Sequence, residues 1–170
     1  MNTPRNTNEV VIESITQAMA AMIVDRPFEE ISITELVQRA GVSRNSFYRN
    51  FRDKDDVLRR YIEVETEEWM TANGWVHTVD PMRRELRLEK LLTHMYGYRT
   101  FIAALIRDRK MHILEAEFDR VLEIGIGQYY DPWRLAFLIG GIYNLYVHWV
   151  ETDYALPPQE VAALFDTFEI

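Results

Sequence analysis

Between Ile31 and Phe51 the chain starts two helices with one glycine between them, and few folds accommodate that. Ser32 and Glu35 have the spacing at which each side chain satisfies a free backbone N–H at a helix start. Ile33, Leu36, Val37 and Ala40 follow at i, i+3, i+4 and i+7, a single buried face. Gly41 supplies the left-handed residue that ends such a helix, and Ser43 caps the next one. The second helix, from Arg44 to Phe51, turns Phe47 and Phe51 inward. Two short helices joined by a tight glycine turn cross steeply, so the second can project from the surface.

The same 3.6-residue period runs through the rest of the chain, and no strand pattern interrupts it. An all-α fold is expected. A first helix spans about 8–25, with Ile12, Ile15, Met19 and Met22 on one stripe, and Pro27 closes it. Asp53 and Asp56 repeat the capping spacing and open a long helix reaching about Ala72. Further helices are expected near 82–97, 99–108, 110–125 and 133–150. A last one opens at Pro157-Pro158, with Val161, Leu164, Phe165 and Phe168 as its stripe.

The net charge of −8 argues at first against a polyanionic partner. Its distribution reverses that. Residues 1–60 hold 9 basic and 9 acidic side chains, so the acidic excess lies wholly beyond them. From Arg39 to Lys54 there are five cations and one acid, Asp53. Screening confines the field to about 10 Å, so a local cationic patch suffices for phosphate contacts on an acidic body.

At 100° per residue, Arg44, Asn45, Tyr48 and Arg49 share one polar arc of the projecting helix. That arc carries what reading a DNA major groove needs. Arginine can bond guanine O6 and N7 in bidentate fashion, and asparagine can do the same for adenine N6 and N7. Ser46 is short enough for a phosphate or a base edge, and the Tyr48 hydroxyl can reach a phosphate. Thr34 and Lys54 stand beside helix starts, which attract anions.

The run from Ile33 through Gly41-Val42-Ser43-Arg44 and Phe47-Tyr48-Arg49 to Phe51, Asp53-Lys54 and Leu58 resembles the signature of the TetR family of transcriptional regulators. Asn50 departs from the histidine that many members carry, and Asn45 takes a place often held by a small residue. The resemblance implies a fold of about nine helices in two parts. Residues 1–52 would be the helix-turn-helix DNA-binding domain and 53–170 a helical ligand-binding and dimerisation domain. It carries DNA contact over to Thr34, Arg44, Asn45, Ser46, Tyr48, Arg49 and Lys54. The function it implies is that of a dimeric regulator, a repressor bound to a pseudo-palindromic double-stranded DNA operator and released by an effector. A TetR-type coregulator acting through a protein partner, without DNA contact, is the alternative.

Leu135 to Val150 is apolar except for Asn144 and His148, shorter than the ~20 residues of a membrane span. Such a helix is expected to be buried on two sides, in its own protomer and in a homodimer, with Leu138, Ile142, Leu145 and Trp149 at the interface. Leu164 and Phe168 of the last helix would join them. If a pocket for a small hydrophobic or aromatic effector exists, Trp69, Met95, Tyr96 and Phe101 are its expected walls, although such residues are more often plain core. The polar start of the chain has no apolar secretion-signal core, and there is no cysteine, so a cytoplasmic location is expected. No enzymatic motif is legible. His112 with Glu115 is a weak metal signal, Gly125-Ile126-Gly127 lacks the rest of a phosphate loop, and neither metal nor cofactor is expected.

Overall fold

Helix-forming residues punctuated by caps, Gly and Pro produce helices α1 (Thr7–Asp25), α2 (Ile33–Arg39), α3 (Arg44–Asn50), α4 (Lys54–Ala72), α5 (Arg84–Gly97), α6 (Arg99–Arg107), α7 (Met111–Ile126), α8 (Pro132–Glu151) and α9 (Pro158–Leu164). The computed structural model describes residues 7–74 and 84–164, with the backbone alone for 84–87 and 126. Among the described residues there is no strand. Two short 3₁₀ turns, Phe28–Glu30 and Gly127–Tyr129, go beyond the helices expected from periodicity. Each is one turn long, too short to leave a periodic signature.

The chain divides into two compact units, the division falling inside α4 and α7 and after the first residue of α6. The first comprises residues up to Glu68 together with Thr100–Leu114, and the second comprises Trp69–Arg99 and residues from Glu115 onward. That differs from a division at 52/53. The first unit takes in most of α4 because Val57, Leu58, Tyr61 and Ile62 of that helix are all buried. It takes in α6 because Phe101 packs edge-on against Tyr61 at 5.1 Å and the α6–α7 turn bonds back to the start of the chain. Burial pushes the Tyr61 phenol up to about 12.

In the first unit, Ile15, Met19 and Ile23 of α1 and Leu36 of α2 have no accessible surface. Ile12, expected on the α1 stripe, is only half-buried. Phe28 and Ile31, in the α1–α2 connection, are both buried. Helix α2 ends in a complete Schellman arrangement: Gly41 N–H donates to Gln38 O at 3.2 Å and Val42 N–H to Val37 O at 3.0 Å. Gly41 adopts φ of 68°, a conformation that a side chain disfavours. Helix α6 closes the same way, with Arg109 N–H donating to Ile106 O and Lys110 N–H to Leu105 O. There the left-handed residue is Arg109, at φ of 57°.

In the second unit, α8 packs by its Leu138, Ile142, Tyr146 and Trp149 face, all buried within the protomer. Burial pushes the Tyr146 phenol up strongly and Tyr154 up as well. The opposite face of α8 is exposed at Trp133 (87%), Phe137 (67%), Gly141, Asn144 and His148. The residues expected at the dimer interface differ in how far the protomer itself buries them. Leu138, Ile142 and Trp149 serve the protomer's own core, Leu145 is half-buried, and Leu164 of α9 remains accessible. On a helix apolar nearly all round, periodicity gives no indication of which stripe turns inward. Phe165 and Phe168 lie outside the described residues. Glu117 is buried and holds Arg120 through both carboxylate oxygens, at 2.6 and 2.8 Å. Among the described residues no helix is long and apolar enough to cross a membrane.

Gly41→Ala is expected to lower stability by about 1–2 kcal/mol, the cost of left-handed backbone in an L-residue. The added Cβ meets no neighbour within 4 Å, so the loss is conformational rather than steric. Thermal unfolding of the two proteins measures it.

Candidate nucleic-acid interface

Sequence defines the helix-turn-helix at its ends before packing defines its interior. Ser32 Oγ accepts from Glu35 N–H at 3.2 Å, and Ser32 N–H donates to Glu35 Oε2 at 3.1 Å, so the reciprocal cap at the start of α2 is complete. Arg26, at the end of α1, pairs with Glu35 Oε1 at 3.0 Å and ties the two helices together. Bonds from the Ser32 side chain, then from its backbone, and the Arg26 guanidinium hold the Glu35 carboxyl down at about 2, from an ordinary 4.5. Ser43 Oγ accepts from Ser46 N–H at 3.1 Å and starts α3. Asn50 Nδ2 donates to Ser46 O at 2.9 Å and steadies the far end. At the start of α4, Asp56 N–H donates to Asp53 Oδ1 at 2.8 Å, and Arg52 N–H to Asp56 Oδ2 at 3.1 Å.

Phe47 has no accessible surface and packs on Phe51 at 5.8 Å, which fixes the roll of α3. The opposite arc is therefore turned outward. Arg44, Asn45, Tyr48 (53%) and Arg49 are all exposed. Arg44 Nη2 reaches the Tyr48 hydroxyl at 3.4 Å, and its guanidinium carbon lies 5.8 Å from that ring, so the two present one donor surface. Thr34 is exposed in the first turn of α2. Ser46 is half-buried and its hydroxyl faces Ser43 Oγ at 2.9 Å, leaving it the most engaged member of the set.

Lys54 stands apart from that arc. Its Nζ donates to Phe28 O at 2.7 Å and sits 4.4 Å from the Phe28 ring centroid. At the same α1–α2 connection gather three residues that local sequence reasoning did not single out: Arg107, Asp108 and Lys110 at the end of α6 and the turn after it. Asp108 Oδ2 accepts from Phe28 N–H at 3.1 Å, and Lys110 Nζ lies 4.3 Å from the ring. No local pattern marks them, because their partners are some eighty residues away.

The expected effector walls are divided between the two units. Phe101 belongs to the first unit, against Tyr61. In the second, Trp69 stacks on His94 at 5.2 Å, Tyr96 stacks on Trp149 at 6.0 Å and meets Tyr154 edge-on at 5.2 Å, and Met95 is buried. His112 and Glu115 are exposed, and among the described residues no group of three or more acids and histidines is placed to hold a metal ion.

Residues 15–61 match the family model of the bacterial regulatory proteins of the tetR family. The N-terminal region of the chain is thus similar to that of TetR-family proteins. The helix-turn-helix regulator YwcC of Bacillus subtilis (strain 168), itself uncharacterised, is 29% identical over 98 residues, covering 53% of this chain and 43% of its own length. A second uncharacterised regulator of that organism, YxbF, is 20% identical over 162 residues, covering 87% of this chain and 42% of its own. The chain thus spans less than half the length of these curated relatives. Two solved structures share the fold at 14% identity. The repressor AlkX of Dietzia sp. strain DQ12-45-1b, implicated in n-alkane biodegradation, aligns over 98% of this chain and 95% of its own with a TM-score of 0.60. A Clostridium perfringens protein named as a fatty acid metabolism regulator aligns over 92% and 99%, with a TM-score of 0.57. The family match lies in the N-terminal region, and the likeness to the two solved structures is one of fold.

The depressed Glu35 pKa makes the α2 cap acid-sensitive. A carboxyl held below its ordinary value stabilises the fold fully above about 4.5, and that contribution is lost as pH falls toward about 2. Urea midpoints of the wild type and Glu35→Gln should differ near neutral pH and converge as pH falls from about 5 toward about 2. A gap that stays constant with pH would assign the effect to something other than the Glu35 charge.

Proposed function

We propose that the chain is a DNA-binding transcriptional regulator that acts as a homodimer on a pseudo-palindromic operator. The exposed Arg44–Asn45–Tyr48–Arg49 arc of α3 carries this reading, in a region of TetR type. In this role Arg44 and Arg49 would read guanine edges and Asn45 an adenine edge. Thr34, Ser46 and Tyr48 would bond the phosphates that set the register. The protein is a repressor in this reading. A small hydrophobic or aromatic effector that binds the released form more tightly frees the operator, since equal affinity for both forms would shift nothing. The aromatic group Tyr96, Trp149 and Tyr154 in the second unit suits such a ligand.

The dimer would form through the exposed α8 face, Trp133, Phe137, Gly141, Asn144 and His148, with Leu164 of α9. Two exposed aromatic rings on one helix face are costly in water, and a symmetric copy supplies an identical face to cover them. Gly141 has open space where a Cβ would stand, which suits close approach of a second backbone.

Arg49→Ala is expected to weaken binding to the protein's own promoter-region DNA by about 1–3 kcal/mol while affecting mixed-sequence DNA less. Fluorescence anisotropy on both probes measures the ratio. If the wild type shows no shift at low salt on any fragment from its gene neighbourhood, direct DNA binding is wrong and the coregulator reading replaces it. Phe137→Asp is expected to convert the dimer to monomer at micromolar concentration, because burying a Phe ring contributes about 1.5–3 kcal/mol. Light scattering decides that, and an unchanged dimer mass would rule out this face.

A further inference from the structure

Phe28 opens the 3₁₀ turn between α1 and α2, and four side chains from distant parts of the first unit converge on that connection. Asp108, at 8% side-chain exposure, accepts the Phe28 N–H. Lys54 donates to the Phe28 carbonyl. Both backbone groups of one residue are thus held by side chains from the start of α4 and the end of α6. Arg107 Nη2 donates to Ile23 O and to Arg26 O at 2.9 Å, the last carbonyls of α1, and to Asp108 Oδ2 at 2.8 Å. Lys110 lies over the Phe28 ring and pairs with Asp55 Oδ1 at 2.7 Å, linking the same turn to α4. The Arg107 bond, then the Phe28 N–H, hold the Asp108 carboxyl below its ordinary value, so it stays charged in this role. Arg109 between them accepts left-handed backbone without being glycine, so the turn carries some strain while presenting its neighbours to Phe28.

We propose that Arg107, Asp108, Lys110 and Lys54 form a clasp on the α1–α2 connection that positions the DNA-reading helix, with Lys54 a positioning residue rather than a phosphate contact. The connection leads directly into Ser32 and α2, whose Gly41 turn carries α3. Where Phe28 sits therefore decides where Arg44 and Arg49 point. Lys54 has its ammonium committed to a carbonyl and an aromatic face, and a cation so placed costs more to redirect to a phosphate than a solvated one does. Because α6 ends in this clasp, a displacement of the α6–α7 turn loosens or moves α3 without touching DNA. The effect on operator binding rests on the regulator reading above, whereas the clasp itself does not.

The test pairs a DNA measurement with one made on the free protein. Asp108→Asn and Lys54→Met are compared with the wild type on a duplex selected by the wild-type protein from random-sequence DNA, across a salt titration. Both variants are expected to lose about tenfold in affinity, with the slope of log K against log salt unchanged. A lost phosphate contact would flatten the slope by about one. In parallel, amide hydrogen exchange of the free proteins should quicken by about tenfold or more in residues 28–31 and in α3, with the interiors of α1 and α4 unchanged. A merely structural role would accelerate all of these alike. Arg109→Gly, which keeps every clasp contact and relieves the left-handed residue, should raise the melting temperature and leave affinity and exchange in α3 as in the wild type. Unchanged α3 exchange in Asp108→Asn, or a flattened slope in Lys54→Met, overturns the proposal. If the wild type selects no DNA at all, the regulator reading fails, and the exchange pattern alone decides whether the clasp exists.

Discussion

Burial of the Phe47 ring is the interaction on which the candidate interface depends. Helix α3 has seven residues, too few to be stable as an isolated helix in water. Its N-cap, Ser43, contributes on the order of 1 kcal/mol. Removing a fully buried phenylalanine costs about 3–5 kcal/mol. Packing therefore outweighs capping, and the ring determines which arc of α3 meets solvent. Phe51 and the edge-on Tyr48 ring at 5.3 Å narrow the choice further. Everything chemical about the arc, from the Arg44–Tyr48 contact to the free Arg49, follows from that roll.

The electrostatics follow from position more than from total charge. The protein is acidic overall, at −8, yet the exposed cations of α3 need only the few ångströms over which screening leaves a field. The charges of the first unit serve separate purposes. Arg26 with Glu35 fastens α1 to α2, and Lys110 with Asp55 fastens the α6–α7 turn to α4. Among the described residues Arg44 and Arg49 form no ion pair, and both remain exposed. The acidic partners thus lie behind the arc, holding the scaffold, and the outward cations are left to a polyanion.

Much of this was legible in the sequence because it is local. Ser32 with Glu35, Gly41, and Ser43 with Phe47 are signals within four residues of one another, and each turned out as capping and periodicity require. What depends on distant partners was not legible. Lys54 beside a helix start looks like an anion contact, and only the fold brings the Phe28 carbonyl to its ammonium. Arg107 and Asp108 looked like ordinary residues at a helix end until Ile23, Arg26 and Phe28 were placed against them. Helix α8 failed differently. With apolar residues nearly all round, its inward face could be chosen only by the partners it packs on, and Leu138, Ile142 and Trp149 went to the core while Trp133 and Phe137 stayed out.

The central claim is that α3 reads the major groove, twice, on a symmetric site. Dimethyl sulfate protection of guanine N7 on a DNA fragment bound by the wild-type dimer tests it most directly, since N7 lies in the major groove and arginine covers it. The account predicts protected guanines in two half-sites related by a two-fold axis, one helical turn of about 10 base pairs or a multiple of it apart. Protein bound at saturation with every guanine N7 still open to methylation would contradict it.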